Sequence, residues 1–294
     1  MTALCAVVLA AGQGTRLRPL TGYRPKALCP VGNVPLLDRA LAHVTALGIA
    51  GPPSVAVNAC YLAEQIVEHV GDRAHVSVEP GDPLGTAGGI GNLREWIDGR
   101  GVLVGNADAY LTGDIAPLLA GWDGESVRLL GRWAPDEPYG FNGHQFAGFS
   151  LLPWRYVRDL RPEPGELVKA AWRPAEAAGE LTVVTYEGTF LDTGTPGDYL
   201  AANLDAAGFR NLFANGATVT GACDQAVIGE GAIVHGRVTR AVVWPGAYVA
   251  PNEHLRDAIR TAPGVTVPAP PSPLALRRPA PPPPSVDQGQ THVV

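Results

Sequence analysis

The chain has 294 residues, 46% of them hydrophobic, and a formal net charge of −6 from 22 Lys and Arg against 28 Asp and Glu. This length allows one large domain and a smaller one with a sizeable core. The acidic balance excludes the basic field that general nucleic-acid or membrane-surface binding requires. The four cysteines form no C-x-x-C pair, so reduced thiols are expected. The seven histidines lack the spacing of zinc ligands, so no catalytic zinc site is expected.

Short apolar runs alternate with helical patterns over residues 3–207. Residues 3–10 form a continuous apolar run, which predicts a buried strand of a parallel sheet. The run is too short to span a bilayer and has no basic region before it, so a cytoplasmic protein is expected. Strands predicted at 54–59, 75–79 and 101–105 alternate with helices at 35–47, 63–70 and 86–97. Such βαβ alternation predicts an α/β domain whose ligands bind beyond the strand ends, at the loops after Ala10, Glu79 and Gly105.

A different pattern begins after residue 210. The unit G-A-x-V recurs at 216–219, 231–234 and 246–249, and residues 264–267 resemble a degenerate fourth copy. This 15-residue period predicts a short β-solenoid, which must dock on the first domain or on another subunit. Three hairpins with similar turns are the alternative. Residues 268–294 are Pro-rich without apolar periodicity, which predicts a disordered tail. The sequence therefore predicts an α/β domain at 1–210, a short β-solenoid at 211–267 and a Pro-rich tail at 268–294.

The loop after the first strand carries the most informative residues. Its sequence, L-A-A-G-Q-G-T-R-L-R-P-L-T over 9–21, contains a G-x-G turn that lets backbone N–H groups approach phosphate oxygens. Arg16, Arg18 and Lys26 follow it. Leu17 stands where a dinucleotide fingerprint requires a third glycine, and the P-loop G-K-[ST] is absent. The cations on one loop suit a triphosphate.

Together with R-P-K-A-L-C-P-V-G-N-V-P-L-L-D-R-A-L at 24–41, this loop resembles the signature of the sugar-1-phosphate nucleotidyltransferases, the NDP-sugar pyrophosphorylases. Residues 83–89 resemble that family's loop beneath the nucleotide base, 104–108 its N-G-D metal motif with Ala in place of Gly, and 190–199 its W-x-D-x-G-T-P-x-D-Y segment. Residues 241–249 are similar to the short left-handed β-helix of the mannose-1-phosphate guanylyltransferase branch. The resemblance implies a Rossmann-like mixed sheet flanked by helices, followed by that β-helix.

The resemblance also implies an activity: an NTP and a sugar 1-phosphate, or a sugar-like cyclitol phosphate, give an NDP-sugar and pyrophosphate. It implies Mg²⁺ held by Asp108 and Asp192, Arg16 on the β- and γ-phosphates, and Lys26 on the α-phosphate and the acceptor phosphate. The remaining implied contacts are to the nucleotide from Leu9, Ala11, Gly12, Gly14, Thr15, Gly85 and Thr86, and to the sugar from Asn106 and Gly140.

Most of these residues also have a structural explanation. Asp108 suits a turn, and Asp192 suits the cap of a helix starting near Pro196. Thr86 suits a helix cap too, and Gly140 a tight turn. Lys26 and Arg16 could be an ordinary solvated lysine and a surface salt-bridge partner. Lys169 is expected to be an exposed helix lysine without a role.

The sugar side departs from the family pattern. Tyr139 and Gly140 resemble its tyrosine-glycine pair, but no E-K-P strand follows, so the second phosphate-binding cation is missing and an unusual acceptor becomes conceivable. Guanylyl transfer to a mannose-type acceptor is the favoured prediction, and thymidylyl or uridylyl transfer to a glucose-type acceptor is the alternative. A non-catalytic regulatory paralogue is a further alternative, whereas three short coils with one histidine, His235, argue against acyl transfer. A homo-oligomer is left open.

Overall fold

The computed structural model describes residues 3–262 and 264–271. The strands of the first domain are β1 (Leu4–Leu9), β2 (Pro30–Val31), β3 (Val34–Pro35), β4 (Val55–Ala59), β5 (His75–Val78), β6 (Gly101–Asn106), β7 (Ala109–Leu111), β8 (Val127–Trp133), β9 (His144–Leu152), β10 (Leu181–Thr185) and β11 (Phe190–Asp192). Its helices are α1 (Leu36–Ala46), α2 (Ala63–Val70), α3 (Gly85–Asn92), α4 (Arg94–Ile97), α5 (Arg173–Ala177) and α6 (Pro196–Ala206). Single turns occur at Thr15–Leu17, Leu20–Gly22, Lys26–Leu28, Ala116–Leu118 and Trp154–Tyr156 (3-10) and at Val168–Trp172 (π-helical).

A seven-stranded mixed sheet with the order β10-β8-β9-β6-β1-β4-β5 forms the centre of this domain. β1 lies parallel to both β4 and β6, whereas β9 runs antiparallel to β6 and β8. The apolar residues of β1 are buried on both faces because one cluster packs the sheet against α1 and α2 and another packs it against α3 and α5. The predicted mixed α/β sheet flanked by helices is confirmed. The helix predicted over 86–97 is two helices, α3 and α4, separated at Leu93.

The C-terminal strands are β12 (Leu212–Phe213), β13 (Thr218–Val219), β14 (Ala222–Ile228), β15 (Ile233–Val234), β16 (Arg237–Val243), β17 (Tyr248–Val249), β18 (His254–Arg260) and β19 (Thr266–Pro268). They form two sheets, β12-β14-β16-β18-β19 and β13-β15-β17. Thr218 pairs with Ile233, which pairs with Tyr248, and both pairings are parallel with a 15-residue offset. The three-hairpin alternative is therefore wrong, since hairpins pair antiparallel. The left-handed β-helix itself stays a prediction.

The end of this region differs from the predicted pattern. β19 runs antiparallel to β18, so residues 264–267 do not form a fourth parallel coil. Pro268, predicted to begin the tail, is the last residue of β19, and Ala269 is fully buried against the core that α6 shares with the C-terminal sheet. The packed structure thus extends past the predicted boundary because these side chains have apolar surface to cover. Most of the predicted tail, residues 272–294, lies outside the described residues.

The C-terminal strands dock on the first domain through α6, whose apolar face packs on them. The Trp244 indole Nε1 donates to the Tyr199 hydroxyl at 3.0 Å, and that hydroxyl donates to the backbone carbonyl of Pro30. Trp244 and Tyr199 are both almost fully buried. In the part of the chain that the structure describes, no helix has the length and apolar character to cross a bilayer.

Candidate functional site

Two carboxylates lie side by side where β6 and β11 end. Asp108 occupies the turn between β6 and β7, and Asp192 is the last residue of β11. β7 and β11 pair antiparallel with Asp192 opposite Ala109, so the pairing sets Asp192 next to Asp108. The Thr193 hydroxyl donates to the backbone carbonyl of Asp108 at 2.9 Å and ties the two loops together.

Lys26 lies between these carboxylates. Its ammonium Nζ is 3.1 Å from Asp108 Oδ2 and 3.3 Å from Asp192 Oδ1. The lysine side chain is 7% exposed, whereas the carboxylates are 49% and 43% exposed, so the acids face solvent and the cation lies behind them. The alternative of a solvated lysine is wrong. Gly14 makes this placement feasible: its φ is +59°, and a Cβ there would lie 2.9 Å from Lys26 Cβ.

Arg16 lies at the mouth of the same site. Its Nη2 is 3.4 Å from Asp192 Oδ2, and its side chain is 69% exposed. The guanidinium lies against Gly194, where a Cβ would be 2.8 Å from Nη2. The salt-bridge alternative for Arg16 thus describes a real contact, but its partner is one of the two paired acids. Two cations and two anions alternate here, so charged substrate oxygens could displace the carboxylates from the cations at small electrostatic cost.

A cleft of about 300 Å³ opens in front of these charges. The structure brings together on its wall most of the residues that the resemblance implicated, namely Leu9, Ala11, Gly12, Gly14, Thr15, Arg16, Lys26, Gly85, Thr86, Asn106 and Asp108. They come from the loops after β1 and β6 and from the start of α3. The loops at the carboxyl ends of neighbouring parallel strands therefore form one cleft, as the βαβ pattern predicts.

A buried polar network behind this cleft was not predicted. Asn58 Oδ1 accepts from the backbone N–H of Ala10 at 2.7 Å, and its Nδ2 donates to Glu79 Oε1 at 2.6 Å. Glu79 Oε2 accepts from the backbone N–H of Leu84 at 2.8 Å. A Cβ on Gly89 would lie 2.6 Å from Asn58 Nδ2, so glycine is required there. The network fixes the loops after β1 and β5 relative to each other, and its one sequence signal is the acidic end of a predicted strand.

The capping alternatives for Thr86 and Asp192 are not what the structure contains. The N-terminus of α3 has no side-chain cap, and Thr86 Oγ1 instead donates to Glu166 Oε2 at 2.7 Å. α6 is capped by Thr195, whose side chain accepts from the N–H of Asp198. Asp192 is therefore free of a capping role.

A second cavity of about 320 Å³ adjoins the first and shares Asn106 and Asp108 with it. Asp192 and Gly140 also line it. Half of its other lining residues are aromatic and come from the turn before β9, from β9, from the π-helical turn and from β11; these are Tyr139, Phe141, Phe146, Trp172 and Phe190. Among the described residues, no lysine or arginine lines this cavity. The missing E-K-P cation thus has no counterpart on this wall.

Two N–H groups of residues that line the second cavity differ in their hydrogen bonding. The backbone N–H of Gly140 donates to the Glu137 carbonyl at 3.1 Å inside a tight turn, so the turn explanation holds and that N–H is not directed at a ligand. Trp172 is 6% exposed, and its Nε1 has no hydrogen-bond partner among the described residues. A buried, unpaired indole N–H costs stability. Helical periodicity alone could not distinguish Trp172 from a core residue.

The carboxylate pair fits a divalent cation. Mg²⁺ binds through one or two carboxylates together with substrate phosphates. The described part of the chain contains no group of three or more His, Cys, Asp and Glu side chains arranged to hold a metal ion. Asp108 and Asp192 would therefore be the protein ligands, and a bound polyphosphate would complete the coordination.

The open mixed α/β sheet, with charged and glycine-rich loops at its strand ends, has the nucleotidyltransferase fold. Residues 6–134 match the MobA-like NTP transferase domain. The chain is 29% identical over 237 residues to an N-acetylmuramate alpha-1-phosphate uridylyltransferase of Caulobacter vibrioides, which covers 69% of this chain and 96% of that protein. It is 38% identical over 109 residues to the uridylyltransferase of the same description from Neisseria meningitidis, with 35% of this chain and 46% of that protein covered.

A mannose-1-phosphate guanylyltransferase of Mycobacterium tuberculosis is 34% identical over 119 residues, covering 39% of this chain and 32% of that protein. The chain thus spans less than half the length of two of these three relatives. A Bacillus anthracis structure, described as a putative glucose-1-phosphate thymidylyltransferase, matches with a TM-score of 0.60 at 20% identity and covers 69% of this chain and 95% of that one. Residues 6–134 thus form a MobA-like NTP transferase domain, and the chain is similar to sugar-1-phosphate nucleotidyltransferases.

Proposed function

We propose that the protein transfers a nucleotidyl group from an NTP to a sugar 1-phosphate, or a sugar-like cyclitol phosphate, and releases pyrophosphate. The observation that carries this proposal is the position of Lys26, on the wall of the first cavity, between Asp108, which lines both cavities, and Asp192, which lines the second. One cavity offers backbone and cations for a triphosphate, and the other offers aromatic walls for an acceptor ring.

The reaction joins two anions, so its barrier falls mainly through positioning and charge neutralisation. An oxygen of the acceptor phosphate attacks the α-phosphorus in line, and the bond from that phosphorus to the leaving pyrophosphate breaks. Lys26, between the two carboxylates, neutralises the α-phosphate and the incoming phosphate. Arg16, at the mouth, neutralises the β- and γ-phosphates as they leave. Mg²⁺, held by Asp108 and Asp192, would supply further neutralisation of the polyphosphate.

The nucleotide is held by the first cavity in this proposal. Gly12, Gly14 and Thr15 present the turn after β1 to the phosphates, and the buried Asn58–Glu79 pair keeps that turn aligned with the start of α3. Leu9, Ala11, Gly85 and Thr86 line the remaining wall. Because these groups are fixed before substrate binds, little ordering is needed on binding.

The acceptor occupies the second cavity. Aromatic faces suit the apolar C–H faces of a pyranose or cyclitol ring, and the Trp172 indole is one of these faces. Asn106, which lines both cavities, is assigned to the acceptor. Gly140 contributes through the shape of its turn. With Lys26 as the cation between the two carboxylates, one lysine serves both phosphates.

A matrix of five NTPs against sugar and cyclitol 1-phosphates, read by pyrophosphate release, tests the proposal. Turnover of at least one pair with release of one pyrophosphate per NDP-sugar is expected. A matrix without turnover would contradict it and favour a regulatory protein that only binds the nucleotide.

A further inference from the structure

A segment following β9 lies closely against α3. Cβ atoms built on Gly85, Gly88 and Gly91 would lie 2.5, 2.2 and 2.3 Å from the backbone oxygens of Gly165, Glu163 and Arg161 respectively. Contacts this short are impossible for any other residue, so the three glycines, each three residues apart, form the surface on which residues 161–166 lie. The backbone of residue 165 also accepts from Ala87 N and donates to Leu84 O, both at 2.9 Å.

This packing brings one acidic side chain to the wall of the nucleotide cavity. Glu166 lines that cavity together with Gly85 and Thr86. Its Oε2 accepts from the Thr86 hydroxyl at 2.7 Å, and Thr86 Oγ1 in turn accepts from the backbone N–H of Leu167 at 2.8 Å. Among the described residues no hydrogen-bond donor reaches Oε1 of Glu166, and Oε1 lies 3.0 Å from where a Gly85 Cβ would be. One carboxylate oxygen is therefore fixed and the other is left open beside Gly85.

The position of Glu166 corresponds to the base rather than the phosphates of a bound NTP. Arg16 and Lys26 mark the phosphate side of the cavity, where Asp108 and Asp192 are already paired with them. Glu166 lies on the wall formed by α3. Two other polar side chains line that side: Thr86 donates to Glu166 itself, and Asn58 is engaged with Ala10 and Glu79. Glu166 is thus the side chain with an open acceptor on this wall.

With Oε1 open and a further lone pair on Oε2, the Glu166 carboxylate can accept from a base that presents two adjacent N–H donors. Guanine offers N1–H and the 2-amino group side by side, whereas uracil and thymine offer one N–H between two carbonyl oxygens that would repel the carboxylate. Adenine and cytosine place their single amino group beside an acceptor nitrogen. Hydrogen bonds to charged groups are the stronger ones. We infer that Glu166 is the residue that selects GTP among the NTPs, an inference that rests on the proposed nucleotidyl transfer.

The test compares GTP with ITP, which lacks only the 2-amino group, and with UTP and dTTP. Each is measured for kcat/KM with the best acceptor from the matrix and for displacement of a fluorescent N-methylanthraniloyl GTP in a binding assay. Wild-type protein should prefer GTP over ITP by about 10-fold or more. Glu166→Gln should lower kcat/KM for GTP by about 10- to 100-fold and bring the GTP-to-ITP ratio near 1. Glu163→Gln, an exposed acid three residues earlier in the same segment, should keep the wild-type ratio.

Two results would overturn the inference: a wild-type preference for UTP or dTTP over GTP, or a Glu166→Gln effect that is equal for all nucleotides, which would mean that Glu166 only supports Thr86. The binding assay separates this failure from failure of the proposed function. Selective GTP binding that is lost in Glu166→Gln, without turnover of any pair, would support the inference and contradict the proposed reaction. Absence of binding by every NTP would contradict both.

Discussion

The two cavities that share Asn106 and Asp108 are built in different ways. The nucleotide cavity is formed largely by backbone and short side chains of three loops, each continuous in sequence, with glycines where a Cβ would collide. The acceptor cavity is formed by large aromatic side chains contributed by four separate elements between residues 139 and 190. A triphosphate can be bound by backbone N–H groups and two cations, whereas a particular sugar must be recognised by shape. In this proposal, different sets of residues therefore determine the reaction and the choice of acceptor.

Asp108 belongs to both cavities, so its substitution should have the largest effect. Asp108→Asn keeps the size of the side chain but removes a charged ligand, and we expect pyrophosphate release to fall by about 10³-fold or more. Removal of divalent cations with a chelator should reduce the wild-type rate similarly and have little further effect on the variant. Circular dichroism should show an unchanged fold. Full activity of the variant would show that the carboxylate is only a turn residue.

Lys26→Ala should have the next largest effect and should again involve both cavities. The buried ammonium is expected to matter most as the two phosphates approach, so kcat should fall by about 100-fold while the dissociation constant of the NTP changes much less. Lys26→Arg is the matched control that keeps the charge, and it should recover only part of the rate because a planar guanidinium does not fit the same buried position. A pure binding defect would contradict this placement.

Trp172→Phe should affect the acceptor cavity alone. It keeps an aromatic ring but makes this wall of the acceptor cavity smaller, so KM for the sugar phosphate should rise about 3-fold while KM for the NTP stays unchanged. The variant should also be slightly less stable to heat than the wild type, because the smaller ring leaves space in the cluster that contains Phe141 and Phe146. Equal changes in both KM values would mean that the two cavities are not independent.

Removal of residues 272–294 should have the smallest effect, with both KM values and kcat unchanged. The cut is placed after Pro271 because Ala269 is fully buried and Val267 pairs with Ile259. The Pro-rich composition lacks the apolar periodicity that packing against either cavity would need. A changed KM for one substrate would assign the segment to that cavity.

The sequence predicts the nucleotide cavity well because its residues follow one another at strand ends. Asp108 and Lys26 could be proposed from motifs alone, and β7–β11 pairing explains why Asp108 and Asp192 meet. Glu166 could not be predicted, because its position depends on how closely residues 161–166 approach α3. Trp172 was equally hidden, since a buried tryptophan in a helical pattern is normally a core residue. Gly140 could be proposed from the sequence as a sugar contact, but its backbone N–H donates to the carbonyl of Glu137 within the same turn.

Two hydrogen bonds link Trp244 to Tyr199 and Tyr199 to the carbonyl of Pro30. They connect the C-terminal strands to the segments that carry Asp192 and Lys26, two members of the cluster of charged side chains. Tyr199 lies on α6, which begins four residues after Asp192, and Pro30 lies four residues after Lys26. The guanidinium of Arg24 also lies 5.0 Å from the Trp244 ring centroid. The separation between the cation and its carboxylate is therefore set in part by residues far outside the family-matching segment. An isolated fragment ending near residue 210 would retain every charged group of the cluster and lose the brace that spaces them.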